Sequence, residues 1–141
     1  MNVLGAHTIG VSHCSSFSNR LFNFTGVGDQ DPSLDSEYAD NLKSRRCLSI
    51  ADNTTKVEMD PGSRNTFDLS YYRLVLKRRG LFESDAALTM NPAALAQVKR
   101  FAGGSEQEFF AEFSNSMEKM GRIGVKTGSD GEIRRTCAFV N

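Results

Sequence analysis

The chain has 141 residues, and its 17 Lys and Arg are balanced by 17 Asp and Glu. A neutral chain of one-domain length excludes two large domains, a general nucleic-acid binder and a polybasic membrane patch. Three cysteines are too few for a small disulfide scaffold, and one thiol is left over.

The elements read as mostly helical. Asp35 caps a helix running towards Arg45, with Tyr38 and Leu42 on one face at i, i+4. A second helix begins near Leu69, carries Tyr72, Val75 and Leu76 inward, and stops at Gly80. A third has Asn91 as N-cap, Pro92 in its first turn, and Leu95, Val98 and Phe101 at helical spacing, until Gly103-Gly104 breaks it. The fourth opens on a capping box, Ser105 and Glu108, and its stripe of Phe109, Phe110, Phe113, Met117 and Met120 reads as core. The tail from Val125 to Asn141 reads as loop with at most a short strand. Two long segments, Thr25–Leu34 and Ile50–Phe67, resist helix assignment; loops of this length are functional or tied down. No repeat, low-complexity segment or domain boundary stands out.

No run of about 18 apolar residues exists, so no transmembrane helix is expected. The opening Met1-Asn2-Val3-Leu4 lacks the basic and apolar regions of a signal peptide. Asn23-Phe24-Thr25 and Asn53-Thr54-Thr55 are nevertheless glycosylation sequons. They point to a secretory protein whose leader is absent.

Several clusters bear on chemistry. His7 lies in a Gly-x-His-Thr-x-Gly frame (Gly5 to Gly10), where glycines allow close approach to a bulky, flat group. His7, His13 and Cys14 fit no common structural zinc spacing, and His13 reads as an ordinary surface histidine. Asp29-x-Asp31-x-Ser33-x-Asp35 imitates an EF-hand start, but Leu34 and Asp40 occupy the positions that need Gly and Glu, so an acidic turn is the better reading. Asp60, Ser63, Thr66 and Asp68 offer the oxygen donors a hard cation wants; turn chemistry with Asp68 as an N-cap is the competing reading, and both stay open. Asp85 is read either as a cap or as a carboxylate orienting a metal-bound histidine. The basic clusters Lys43–Arg46, Lys77–Arg79, Lys99-Arg100 and Arg134-Arg135 sit mostly near helix ends, as solvated faces that complement the dipole.

The ordered set of motifs resembles the C-terminal half of a secreted plant haem peroxidase of class III. Gly5-Ala6-His7-Thr8-Ile9-Gly10 matches the family's proximal haem-ligand motif. In family order follow Arg20-Leu21-Phe22-Asn23-Phe24, Asp31-Pro32-Ser33-Leu34, Asp60-Pro61-Gly62-Ser63 and Thr66-Phe67-Asp68-x-x-Tyr71-Tyr72. Gly80-Leu81-Phe82-x-Ser84-Asp85, Met117-x-Lys119-Met120-Gly121 and Ile133-Arg134-x-x-Cys137-x-x-Val140-Asn141 complete the series.

The resemblance implies a mainly α fold: the proximal half of a two-lobed helical haem peroxidase, with residues 1–141 as a partial domain whose distal lobe is absent. It implies an enzyme that oxidises phenolic donors with hydrogen peroxide through haem b. His7 would bind the haem iron, and Asp85 would accept the His7 Nδ1 proton and give the imidazole anionic character. Thr8, Asp60, Ser63, Thr66 (through its carbonyl) and Asp68 would hold Ca2+. Cys14 and Cys47 would form a disulfide, whereas Cys137 would lack its partner, which the family carries in the N-terminal half. The family's distal histidine and arginine have no counterpart here. Met1-Asn2-Val3 departs from the family pattern before the Ala6-His7 pair and reads as an alternative start. Met59 stands where some members carry an aromatic residue beside the imidazole, and Ser16 replaces an aromatic near the haem edge. Location is extracellular by resemblance, and cytosolic if translation starts at Met1. The alternative is a truncated, non-catalytic fragment with at most weak haem or calcium binding, whose natural partner is the missing half of its own domain.

Overall fold

A computed structural model of the chain describes residues 6–141. The expectations for Gly5 and for the Met1–Leu4 start lie outside the described residues. The fold is mainly α: α1 (Ser18–Phe22), α2 (Ser36–Arg45), α3 (Ser70–Leu76), α4 (Glu83–Met90), α5 (Pro92–Gly103) and α6 (Glu106–Gly121), with two short strands, β1 (Val11–His13) and β2 (Lys56–Glu58). No helix among the described residues is long and apolar enough to cross a membrane.

Helix starts follow the side chains that can satisfy free backbone N–H groups. The Asp35 carboxylate accepts from the Tyr38 N–H, and the Asn91 side chain accepts from both Ala93 and Ala94. Ser105 accepts from the Glu108 N–H, but the box expected there is half formed. The Glu108 carboxylate turns instead to Arg100, which also pairs with Glu112 on the next turn of α6.

Three expectations need correction. The α3 helix ends at Leu76, and the left-handed residue beyond it is Arg78 (φ 58°), not Gly80. Gly80 is small for another reason: a Cβ there would lie 2.4 Å from the Asp85 Cβ. Leu76 faces solvent, because it lies off the inward row of α3 formed by the buried Tyr72 and Val75. The α6 stripe is core only at its start: Phe109 is buried and Phe113 half-buried, whereas Phe110, Met117 and Met120 are exposed.

Two apolar clusters result. The first gathers Phe17, Leu21, Leu34, Leu42, Val57 and Leu81 around the buried Cys14–Cys47 disulfide. The second packs α3, α4, α5 and the start of α6 through Tyr72, Val75, Leu88, Val98, Phe101 and Phe109. Phe67 seals it, with ring centroids 4.8 Å from both Phe109 and Phe113. The tail from 122 onward carries only a 3-10 turn at Gly128–Asp130, in keeping with the loop expected there, and its Ile133 side chain is 97% exposed.

The strand pair was not legible in the sequence. β1 and β2 run antiparallel with Val11 opposite Glu58, Ser12 opposite Val57 and His13 opposite Lys56. Three residues are too few for alternation to show. The pairing is extended by Gly10 N–H to the Arg64 carbonyl (2.7 Å) and Cys14 N–H to the Thr55 carbonyl (3.0 Å). It ties the second long loop to the segment carrying His7. The first long loop is held by Asp29, which accepts from Thr25, and by Asp31, which is drawn inward.

The disulfide closes a separation of 33 residues around the first cluster. Cys14→Ser should therefore lower unfolding free energy by about 3–4 kcal/mol, read as a shifted urea midpoint under non-reducing conditions; an unshifted midpoint would contradict its structural weight.

Candidate functional site

His7 sits just ahead of β1, and Asp85 lies in the first turn of α4. The fold brings them together: His7 Nδ1 is 2.8 Å from Asp85 Oδ1. The carboxylate is 3% exposed and the imidazole 37%. Asp85 also accepts the Tyr71 hydroxyl on Oδ1 (2.6 Å) and the Phe82 backbone N–H on Oδ2 (2.9 Å). Asp85 thus serves the start of α4 through the Phe82 N–H and at the same time hydrogen-bonds the His7 ring. With Asp85 Oδ1 facing it, Nδ1 is the ring nitrogen placed to donate to the carboxylate. No group among the described residues bonds Nε2.

The ring's neighbours are Phe82 (centroids 4.7 Å, tilted) and Tyr71 (6.1 Å, edge-on). Met59 instead packs against the first cluster and lies under Gly10, where a Cβ would come within 3.2 Å of its methyl. Gly10 has φ +93°, so its conformation favours glycine independently of that crowding. Ser16 is exposed, as is His13.

A second cluster of oxygens adjoins the first. The Thr8 hydroxyl donates to the Asp68 carbonyl (2.8 Å), the Ser63 hydroxyl reaches Asp68 Oδ2 (2.5 Å), and Ser70 bridges Asp68 Oδ1 (2.6 Å) and Asp60 Oδ2. Burial, together with the nearby Asp68 charge, raises the Asp60 pKa above its ordinary value, although the Ser70 hydrogen bond opposes it. Burial pushes Asp68 up too, but the Ser63 and Ser70 hydrogen bonds outweigh it and its pKa is lowered. Thr66 joins only through its N–H to the Ser63 carbonyl (2.9 Å). No group of three or more His, Cys, Asp or Glu that could hold a metal occurs among the described residues. The cluster has two carboxylates, and its other donors are hydroxyls and a carbonyl, all oxygens of the kind a hard cation prefers. The Asp68 carboxylate also accepts the N–H of Ser70, the first residue of α3 (2.8 Å), although the N-cap position itself is Leu69 and not Asp68 as one reading of the sequence had it. Ser70 carried no sequence signal, because a serine at a helix start reads as ordinary capping.

Sequence reasoning also missed the role of Arg20. It is 1% exposed and bonds Asp31 Oδ2 through Nε (2.7 Å), with Asp31 2% exposed. Its Nη1 lies 2.9, 2.8 and 2.9 Å from the carbonyls of Gly80, Leu81 and Phe82, and its Nη2 reaches Ser33 (3.1 Å). A buried guanidinium thereby fixes the turn that carries Phe82 and Asp85. The Arg20 and Asp31 motifs flagged in the sequence are two ends of one ion pair, and a buried arginine is the signal that joins them. Burial pushes the Asp31 carboxyl up, but hydrogen bonds from Ser33 and Arg20 prevail and hold it below 3.8.

Cys14 and Cys47 are joined, and Cys137 is a free, exposed thiol. Asn23 and Asn53 are both exposed; the Asn23 carbonyl oxygen accepts the Gly28 N–H. Arg79 is not a freely solvated charge, since it pairs with Asp35 and Glu37.

A family model described as peroxidase matches the sequence over residues 1–104. The chain belongs to the peroxidase family. It is 71% identical over 137 residues to Peroxidase 3 of Arabidopsis thaliana, covering 97% of this chain and 42% of that protein. Peroxidase 30 of Arabidopsis thaliana is 63% identical over 134 residues (95% and 41%). Peroxidase 1 of Oryza sativa subsp. japonica is 56% identical over 139 residues (96% and 42%). The chain thus spans about two-fifths of the length of these curated relatives.

The Arg20–Asp31 pair sets an acid limit. The Asp31 pKa is depressed on folding, so its stabilisation is present above about 3.8 and is lost as pH falls through the folded-state value. Thermal unfolding followed against pH should show a falling acid limb. Asp31→Asn should flatten part of that limb and cost about 3–5 kcal/mol at neutral pH by leaving Arg20 buried and unpaired.

Proposed function

We propose that this chain forms the proximal side of a haem pocket in a peroxidase that oxidises phenolic donors with hydrogen peroxide. The observation that carries the reading is the 2.8 Å contact between His7 Nδ1 and the buried Asp85 carboxylate, with Nε2 unbonded among the described residues on a partly exposed ring. That is the arrangement an axial histidine needs, because the second ring nitrogen is tied to a carboxylate and the lone pair faces outward. Haem b, when bound at Nε2, supplies the redox chemistry. His7 would hold the iron through Nε2, Asp85 would accept the hydrogen bond from His7 Nδ1 and raise ligand basicity, and Phe82 and Tyr71 pack beside the ring.

Thr8, Asp60, Ser63 and Asp68 are proposed to hold Ca2+, with the Thr66 carbonyl completing the set. Two neighbouring carboxylates, one with a raised pKa, favour a cation that relieves their repulsion. Thr8 adjoins His7 in the chain, so an ion there braces the ligand segment. The peroxide-cleaving residues are assigned to the remainder of the longer protein, of which residues 1–141 form the C-terminal, proximal part. The exposed Met117, Met120, Phe139 and Val140 and the free Cys137 agree with contacts made to that remainder. An extracellular setting, with glycans on Asn23 and Asn53, belongs to the same proposal. On this reading the 141-residue chain alone turns over little or no peroxide.

Haem titration of the chain tests the ligand. His7→Ala should abolish the histidine-ligated absorption spectrum, and an unchanged spectrum would remove His7 from the role. Calcium titration by calorimetry tests the second site. Asp60→Ala should weaken binding by at least about tenfold, the loss seen even for outer partners of a metal site.

A further inference from the structure

We propose that Tyr71 is a positioning residue that sets how strongly Asp85 draws on the His7 proton. The reading rests on His7 and Asp85 acting as the proximal pair described above. The geometry points to it because the Tyr71 hydroxyl and the His7 imidazole share one oxygen, Asp85 Oδ1, at 2.6 and 2.8 Å. The other oxygen is taken by the Phe82 N–H.

The surroundings of the carboxylate are tightly packed. Gly80 lies so close to Asp85 that even a Cβ on the glycine would clash with it. The Arg20 guanidinium holds the carbonyls of Gly80, Leu81 and Phe82, so the turn that presents the Phe82 N–H is fixed. Tyr71 is buried in the second cluster and edge-on to the His7 ring, so its hydroxyl has a fixed direction. Burial and the Asp85 charge raise its pKa, which keeps it a neutral donor.

A carboxylate oxygen that receives two donors binds each less strongly than it would bind one, because its charge is divided. Tyr71 therefore limits the transfer of the Nδ1 proton towards Asp85, and with it the anionic character of the imidazole. Removing only the hydroxyl returns that charge to the histidine bond.

The test uses the metal-free 141-residue chain labelled with 15N, at mildly alkaline pH, with a His13→Gln chain to assign the two imidazoles. Nitrogen shifts are read through the carbon-bound ring protons, so proton exchange does not hide them. In Tyr71→Phe, the His7 Nδ1 resonance should move from the protonated towards the unprotonated shift, with helical circular dichroism retained. Tyr72→Phe, which removes a neighbouring buried hydroxyl from the same helix, should leave the resonance in place. The proposal is overturned by an unmoved or oppositely moved Nδ1 resonance, by an equal response in Tyr72→Phe, or by loss of helical signal in Tyr71→Phe. The readout contains no haem, so a failure of His7 to ligate iron shows in the haem titration and leaves this result independent.

Discussion

The structure depends on one buried carboxylate. Asp85 lies in the first turn of α4, out of water, and a bare charge there would be untenable without donors. It collects three: His7 ahead of β1, Tyr71 on α3 and, close by in sequence, the Phe82 backbone at the start of its own helix. Each donor fixes something different. Phe82 starts the helix, Tyr71 joins the carboxylate to the second apolar cluster, and His7 gains its direction.

Arg20 extends the same logic one step outward. The turn before Asp85 exposes three consecutive carbonyls to the interior, and buried carbonyls need donors. A guanidinium supplies them in a fixed fork, and Asp31 neutralises its charge. The cost of burying this pair is offset by hydrogen bonds on each guanidinium nitrogen and on both Asp31 oxygens. The first long loop, which otherwise has little apolar surface, is anchored through Asp31. The second long loop is anchored through the strand pair and the oxygen cluster around Asp60 and Asp68. The two irregular segments are thus the parts of the chain that bring the functional groups together.

The apolar surface has an uneven distribution. The two clusters are well closed around the disulfide and around Phe109, while the end of α6 and the tail present Met, Ile, Phe and Val to solvent. The α6 helix reads as amphipathic along its whole length although, of its apolar stripe, Phe109 is buried and Phe113 half-buried: the pattern in the sequence records a face, not what lies against it.

The sequence by itself determined the helices with strong caps, at Asp35, Asn91 and Ser105, because capping is a local hydrogen-bond demand. It also carried the family, through an ordered series of short motifs that includes His7 and Asp85, and the family model agrees. It did not disclose β1 and β2, whose three-residue strands are too short for a period, nor the helix end at Arg78, nor the solvent-facing Leu76. Asp85 could be read only as a cap or a histidine partner; that it is both was decided by a loop closure across 78 positions. Ser70, Tyr71 and Arg20 looked ordinary along the chain, because what distinguishes them is burial beside a charge. Local chemistry is written in spacing, but which charges meet, and which are cut off from water, exists only once the tertiary structure has formed.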